Sequence, residues 1–357
     1  MGDPRPLRIA VRADASARIG GGHVMRCLTL AHMLGTRGAE VLWLCNAETV
    51  ATVPRLATPG RLIAEASDYP TIAGAIARTW DGAADGLIID HYGIDRRLEE
   101  QLRAVASTLM VVDDLADRPH DCDLLLDQTF GREADDYEGL VPDGCRILTG
   151  AGFALLRPEF AAAREAALAR RSAGRDVGRV LISLGLGDVA EVTAMALRAA
   201  LAATPDDVAI DVVVGRGAIG SPDIAAMARS HARIALHCDV TDMSRLMSAA
   251  DLAVGAAGST SWERCCLGLP SVLVVLADNQ RLVARQLAAA GAAIAIETPA
   301  ADALGAALAA LCASRGLRTA MATAAAAIVP GDGAARVAEV LLSLLQSRID
   351  AAASVCG

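Results

Sequence analysis

A histidine follows three consecutive glycines early in this chain, in the run Ile19-Gly20-Gly21-Gly22-His23-Val24-Met25-Arg26-Cys27, and Arg12-Ala13-Asp14 lies just upstream. Imidazole exchanges protons near neutrality, so His23 is the leading candidate for a general base. Leu7 to Val11 reads as a buried strand and Val24 to Leu34 has the apolar spacing of a helix, which makes the glycines a strand-to-helix turn. Gly20 and Gly22 would let a ligand approach the backbone there, and the partial positive charge of a helix start favours an anion. The same position also suits a histidine that only caps or lines the turn. Asp14, near this loop, is read either as orienting His23 or as a turn former.

The second half carries Gly255-Ala256-Ala257-Gly258-Ser259-Thr260-Ser261-Trp262-Glu263-Arg264 after the apolar run Leu252 to Val254. Amides around Gly258, Ser259 and Thr260 suit a diphosphate, and Glu263, one turn later, suits the two hydroxyls of a ribose. A plain N-cap by Ser259 with Glu263 in the first turn uses the same residues. Ser183-Leu184-Gly185-Leu186-Gly187-Asp188 is a second strand-to-helix turn that could approach the same phosphates through Gly185, or be capped by Asp188. Leu276-Ala277-Asp278-Asn279-Gln280 brings the amides of Asn279 and Gln280, which can recognise sugar hydroxyls or acetamido groups without adding charge. Here too an N-cap by Asn279 is the plain alternative.

In the first half, Asp90-His91-Tyr92-Gly93 and Val112-Asp113-Asp114-Leu115-Ala116-Asp117-Arg118 end two strands. Asp90 with His91 lacks a compact ligand set such as HExxH, so no metal site is expected. Asp113, Asp114 and Asp117 suit turns beside Arg118, and His120-Asp121-Cys122-Asp123 suits a loop. There is no GxSxG elbow, and Cys265-Cys266 belongs to a helix that should pack on a sheet, so nucleophilic acyl chemistry has no support.

These turns need elements to hold them. Leu7 to Val11, Glu40 to Leu44, Gly86 to Asp90, Thr108 to Asp113 and Leu124 to Asp127 alternate with helical stretches, which implies a parallel sheet covered by helices. Gly178 to Leu184, Ala209 to Gly215, Ile234 to His237, Leu252 to Gly255 and Ser271 to Val275 form a second such series. Leu155 to Arg175 suits an exposed helix or linker, and Ala300 to Leu345 looks largely helical. The expected division is 1–170, an N-terminal domain with the base and sugar pocket; 171–349, a C-terminal nucleotide-binding domain; and 350–357, a frayed tail. Two such sheets facing one another would bind ligand at the carboxyl ends of their strands.

Bulk properties narrow the class. The 357 residues exceed the usual size of one core, and no apolar run approaches a membrane span. A net charge of −9 with no basic cluster argues against a nucleic-acid surface, so an anionic ligand needs a local site. The first six residues lack an apolar signal core, and nine cysteines without CxxC spacing read as reduced core residues of a cytoplasmic protein.

Taken in order, the Gly-rich turn with His23, Asp90-His91-Tyr92-Gly93, Asp113 to Arg118, Asp123 to Gln128, Leu155-Leu156-Arg157-Pro158-Glu159-Phe160, Gly258 to Arg264 and Ala277 to Gln280 resemble one family over residues 7–295. It is the family of UDP-sugar hydrolases of pseudaminic acid synthesis (PseG). The resemblance implies an α/β, GT-B-like fold: two Rossmann-type parallel-sheet domains facing a central cleft, related to the glucosaminyltransferase that makes lipid II, with the nucleotide in the C-terminal domain. It implies cleavage of UDP-2,4-diacetamido-2,4,6-trideoxy-β-L-altropyranose to UDP and free sugar, a step toward a nonulosonic acid used in flagellin glycosylation, with no cofactor. On this resemblance His23 is the base, Glu263 meets the ribose, Asn279 the sugar or diphosphate, and Tyr92 faces the sugar pocket. Two positions depart from the family pattern: Gly185-Leu186 replaces a double glycine, and Phe153 replaces a tyrosine before Ala154-Leu155-Leu156-Arg157. A glycosyltransferase that activates an acceptor hydroxyl and a noncatalytic nucleotide-sugar sensor would use the same motifs.

Overall fold

A computed structural model describes residues 5–16, 19–185, 189–215, 221–238 and 240–356. The chain forms two compact units: Met1–Leu155 with Asp332–Gly357, and Leu156–Gly331. Both are parallel sheets covered by helices, as the alternation of apolar runs requires.

In the first unit the strands are β1 (Arg8–Ala13), β2 (Glu40–Cys45), β3 (Leu62–Glu65), β4 (Ala84–Asp90), β5 (Ala106–Val112), β6 (Leu124–Asp127) and β7 (Arg146–Thr149). Their order is β3-β2-β1-β4-β5-β6-β7, and every pairing is parallel. The chain runs outward from β1 through β2 to β3, then returns to place β4 on the other side of β1. That reversal leaves a crevice at the carboxyl ends of β1 and β4, the usual ligand position in open α/β sheets. Val24, Cys27, Leu30 and Leu34 of the helix Gly22–Gly35 pack on one face of this sheet with Ile9, Val11 and Trp43. Val337, Leu341 and Leu345 of the helix Gly333–Cys356 join the same cluster. Ile72, Ile76 and Leu102 cover the other face.

In the second unit the strands are β8 (Arg179–Ser183), β9 (Ala209–Val214), β10 (Ile234–Cys238), β11 (Leu252–Ala256), β12 (Ser271–Val274) and β13 (Ile294–Ile296). They are ordered β10-β9-β8-β11-β12-β13, again all parallel, with the reversal between β8 and β11. Its core gathers Val180, Ile182, Leu197, Ile210, Val254 and Val272.

Three expectations need correction. The boundary lies at 155/156 rather than near 170, because the helix Pro158–Ser172 packs within the second unit and sends Arg170 to Asp251 and Arg171 to the carbonyls of Ala250 and Met247. Residues 332–349 belong to the first unit, not the second, since Val337, Ala338 and Leu341 bury in the cluster between its sheet and the helix Gly22–Gly35. Residues 350–356 continue the Gly333–Cys356 helix instead of fraying. Leu186, Gly187 and Asp188 lie outside the described residues, so the capping expectation for Asp188 and the Leu186 departure do too.

Candidate active site

Asp90 is the last residue of β4 and pairs in register with Ala13 of β1, so its carboxylate projects at the reversal point of the first sheet. His23 opens the helix that follows β1, and Arg26, three residues on, shares its face. Asp90 Oδ1 stands 2.6 Å from His23 Nδ1, while Arg26 donates from Nε to Oδ2 at 2.6 Å and from Nη2 to Oδ1 at 2.7 Å. Asp90 is fully buried, which alone would favour the neutral acid, but Arg26 and His23 hold its carboxyl well below the usual carboxylate range. An ionised carboxylate at this distance makes Nδ1 the donor. The lone pair is therefore on Nε2, which no described residue bonds, and the His23 side chain keeps 11% of its surface open.

Asp14 is not the orienting group. It takes Arg12 at 2.6 and 2.8 Å, the Asn46 amide at 2.7 Å and His91 Nε2 at 3.3 Å. Burial would raise its carboxyl, but His91 and Arg12 keep it well below the ordinary range. Asp90 and His91 thus diverge to different partners rather than forming a pair. His91 Nδ1 accepts from the Gly93 amide at 3.0 Å, so both ring nitrogens are engaged and His91 anchors the turn that carries Tyr92.

Tyr92 stands edge-on to His23, with ring centroids 4.7 Å apart at 88°. Its hydroxyl donates to Asp114 Oδ1 at 2.8 Å, and Asp114 Oδ2 accepts from Arg26 Nη1 at 3.1 Å. His23, Asp90, Arg26, Asp114 and Tyr92 therefore form a connected set. Gly20, at φ +74°, holds the left-handed turn before the helix and donates to Ser16 O at 2.8 Å; Gly22 is exposed at the helix start. Arg26 is read in the sequence only as part of the Gly-rich run, and Asp114, expected there to shape a turn beside Arg118, instead bonds Tyr92 and Arg26. The i, i+3 spacing of His23 and Arg26 was the available signal for the first, and nothing separates Asp114 from the neighbouring aspartates except the fold. Asp113 is the turn former, accepting from the amides of Leu115 and Ala116 and from Tyr137.

In the second unit, Gly185 and the Gly258–Thr260 segment follow β8 and β11, the two strands flanking that sheet's reversal. Gly185 sits at φ +105°, a conformation that favours glycine. Ser259 makes no side-chain capping bond, so the plain N-cap reading is not realised. Among the described residues, the amides of Gly258, Ser259 and Thr260 donate no hydrogen bond. The Gln280 carbonyl accepts from the Leu276 amide at 3.0 Å, and its Nε2 lies 3.9 Å from where a Cβ on Gly258 would be. Gly258 and Gln280 are thereby neighbours. Asn279 is exposed in the 3-10 turn Asp278–Gln280 and caps neither that turn nor the helix Arg281–Ala289.

Glu263 is held from the helix side by Arg157 Nη2 at 3.3 Å, and Arg157 also pairs with Glu159 at 2.9 Å. Burial pushes the Glu263 carboxyl up while Arg157 pulls it back. Arg264, next along, is buried; it donates to Ala256 O at 2.6 Å, Ser261 Oγ at 3.0 Å and Thr260 Oγ1 at 3.1 Å, tying the turn from beneath. A Cβ on Gly255 would overlap its guanidinium, so this position near the end of β11 takes glycine. Phe153 packs its ring under Arg336 at 4.2 Å in the first unit.

Two open parallel sheets with their candidate residues at the strand-order reversals define a GT-B glycosyltransferase-type fold. Solved structures agree: MurG of Acinetobacter baumannii aligns at a TM-score of 0.66 and 18% identity over 95% of this chain and 100% of that one. The spinosyn rhamnosyltransferase SpnG complexed with thymidine diphosphate aligns at 0.59 and 18% over 95% and 99%. Residues 226–336 match the model of the glycosyltransferase family 28 C-terminal domain. The UDP-2,4-diacetamido-2,4,6-trideoxy-beta-L-altropyranose hydrolase of Campylobacter jejuni is 31% identical over 154 residues, 43% of this chain and 53% of that protein. This chain spans about half the length of the curated relatives it matches. Among the described residues, no helix is long and apolar enough to cross a membrane.

Proposed function

We propose that this chain is an enzyme acting on a UDP-sugar, and that it hydrolyses UDP-2,4-diacetamido-2,4,6-trideoxy-β-L-altropyranose to UDP and the free sugar in pseudaminic acid synthesis. The observation that carries the reading is the His23 Nδ1 to Asp90 contact of 2.6 Å, which leaves Nε2 as a proton acceptor. The similarity to the Campylobacter jejuni hydrolase supports the substrate. Base chemistry is assigned to the first unit and nucleotide recognition to the second.

His23 Nε2 takes a proton from water as the water oxygen bonds to the anomeric carbon and the bond from that carbon to the diphosphate oxygen breaks. The centre inverts, UDP leaves as an anion, and imidazolium returns the proton to solvent. Asp90 keeps the Nδ1 proton throughout and stabilises the imidazolium, as orienting carboxylates do in other base relays. General-base assistance of this kind contributes about 100- to 10,000-fold. The unpaired amides at Gly258, Ser259 and Thr260 are assigned to the departing diphosphate, with Gly185 beside it, and Glu263 to the ribose hydroxyls. Asn279 and Gln280 are assigned to the acetamido sugar, and Tyr92 lines its pocket beside His23.

A transferase that gives the same proton-transfer role to an acceptor hydroxyl is the second reading, favoured by the glycosyltransferase family 28 match. Incubating the purified protein with the UDP-sugar and following free sugar by mass spectrometry separates the two. Sugar release without an added acceptor supports hydrolysis. Release only with an acceptor supports transfer, and UDP-sugar binding without turnover supports a sensor.

A further inference from the structure

Five arginines, Arg170, Arg171, Arg175, Arg315 and Arg318, line one pocket of the second unit, and Asp251 is the single acidic side chain among them. That carboxylate is already committed: Oδ1 pairs with Arg170, and Oδ2 accepts from the Gly178 and Arg179 amides at 2.9 and 3.0 Å. Among the described residues the other four guanidiniums have no carboxylate partner. Arg171 and Arg318 are fixed by backbone carbonyls, Arg171 on Ala250 and Met247 and Arg318 on Leu311, Cys312 and Arg175. These contacts cap helix ends and hold both groups rigidly, yet they leave donors over; Arg171 Nε is buried with no partner. Arg315 has one long bond to Ala173 O at 3.4 Å, and Arg175 is exposed and bonds nothing among the described residues through its side chain.

Such a concentration of like charge is costly unless an anion offsets it, and it occurs in a chain whose net charge is −9. Burial first and then the Arg170 cation push the Arg171 guanidinium down to about 10, while Asp251 raises it. Asp251 and Pro270 immediately precede β11 and β12, so the pocket lies at the amino ends of the strands, whereas Gly185 and Gly258 follow carboxyl ends. A five-residue strand such as β8 separates the two ends by roughly 15 Å. The site is therefore separate from the proposed nucleotide segment.

We infer that this pocket binds a small phosphoryl anion, inorganic phosphate or diphosphate, through the forked donors of Arg171, Arg175, Arg315 and Arg318. Guanidinium forks match phosphate oxygens in pairs, which favours these ions over chloride.

The test is calorimetric titration of the full chain with phosphate and with pyrophosphate, in chloride buffer of matched ionic strength and with saturating UDP present. The R175S/R315S variant, altered only at exposed positions, is titrated alongside, and R175S alone serves if the double variant unfolds. The expected result is saturable binding by the wild type, weakened at least tenfold in R175S/R315S and severalfold in R175S, with UDP affinity unchanged. Binding no tighter than chloride, or equal binding by wild type and variants, overturns the inference. If the chain binds phosphate here but not UDP, the proposed function fails and the pocket stands.

Discussion

Replacing Asp90 by Asn probes the relay at its centre while preserving shape. The carboxylate receives three short bonds, one from His23 and two from Arg26 at 2.6 and 2.7 Å. An amide presents one oxygen, so whichever way it turns, its NH2 opposes a donor: Arg26 Nε in one orientation, His23 Nδ1 and Arg26 Nη2 in the other. The second orientation also forces the His23 proton onto Nε2 and removes the base. Breaking a buried charge pair costs about 3–5 kcal/mol, and the remaining Asp114 contact at 3.1 Å brings this to roughly 2–3 kcal/mol. That corresponds to a melting temperature lower by roughly 5–10 °C. Measured well below that transition, kcat should fall by about 100- to 10,000-fold, as when an imidazole loses its orienting carboxylate. KM should stay within about threefold, because Asp90 is 1% exposed and offers the substrate no surface. Steady-state UDP release by Asp90→Asn with kcat within fivefold of wild type would refute the relay; loss confined to KM would also refute it.

On the proposed ribose role, Glu263→Gln should weaken UDP binding by about 10- to 100-fold in calorimetry, since hydrogen bonds from hydroxyls to a carboxylate contribute roughly 1.5–3 kcal/mol, while dUDP, lacking one hydroxyl, should lose less. Gly255→Ala should displace Arg264 from Ala256 O and destabilise the chain by about 1–3 kcal/mol, read as a lower denaturant midpoint. His120 is buried between Glu99, at 2.8 Å, and Asp113; burial alone would lower it, but these carboxylates push it up to about 9. Its folded value lies above the unfolded one, so its contribution is complete below about pH 6.5 and is lost as pH rises to about 9. Wild-type stability should therefore drop by on the order of 3 kcal/mol between pH 6.5 and 9.5, and His120→Gln should flatten that slope in denaturant titrations at each pH.

The sequence made the central strands of both sheets plain, because strands covered on both faces are continuous apolar runs such as Leu87 to Ile89 and Val272 to Val275. Leu62–Glu65, Arg146–Thr149 and Ile294–Ile296 are not among the strands that the sequence predicts. All three are edge strands of three or four residues, and edges lack the flanking cover that demands an apolar run. The return of the helix Gly333–Cys356 to the first unit was equally hidden, since an amphipathic helix does not reveal which sheet it covers. At the candidate site, His23 was visible from the Gly-rich turn, but its partner was not. Asp14 is nine residues from His23 and Asp90 is sixty-seven, and only the β1–β4 pairing brings the distant carboxylate into place. Arg12, read only as part of a motif, claims Asp14 from the same face of β1.

The most direct test of the account is hydrolysis of the UDP-sugar in 18O-labelled water by the wild type and by His23→Ala, with mass analysis of the UDP released. Attack of His23-activated water at the anomeric carbon predicts unlabelled UDP from the wild type, label in the freshly released sugar, and turnover reduced at least 100-fold in the variant. Label in UDP would mean that water attacks phosphorus, and undiminished turnover by His23→Ala would mean that the base lies elsewhere; either result contradicts the assignment.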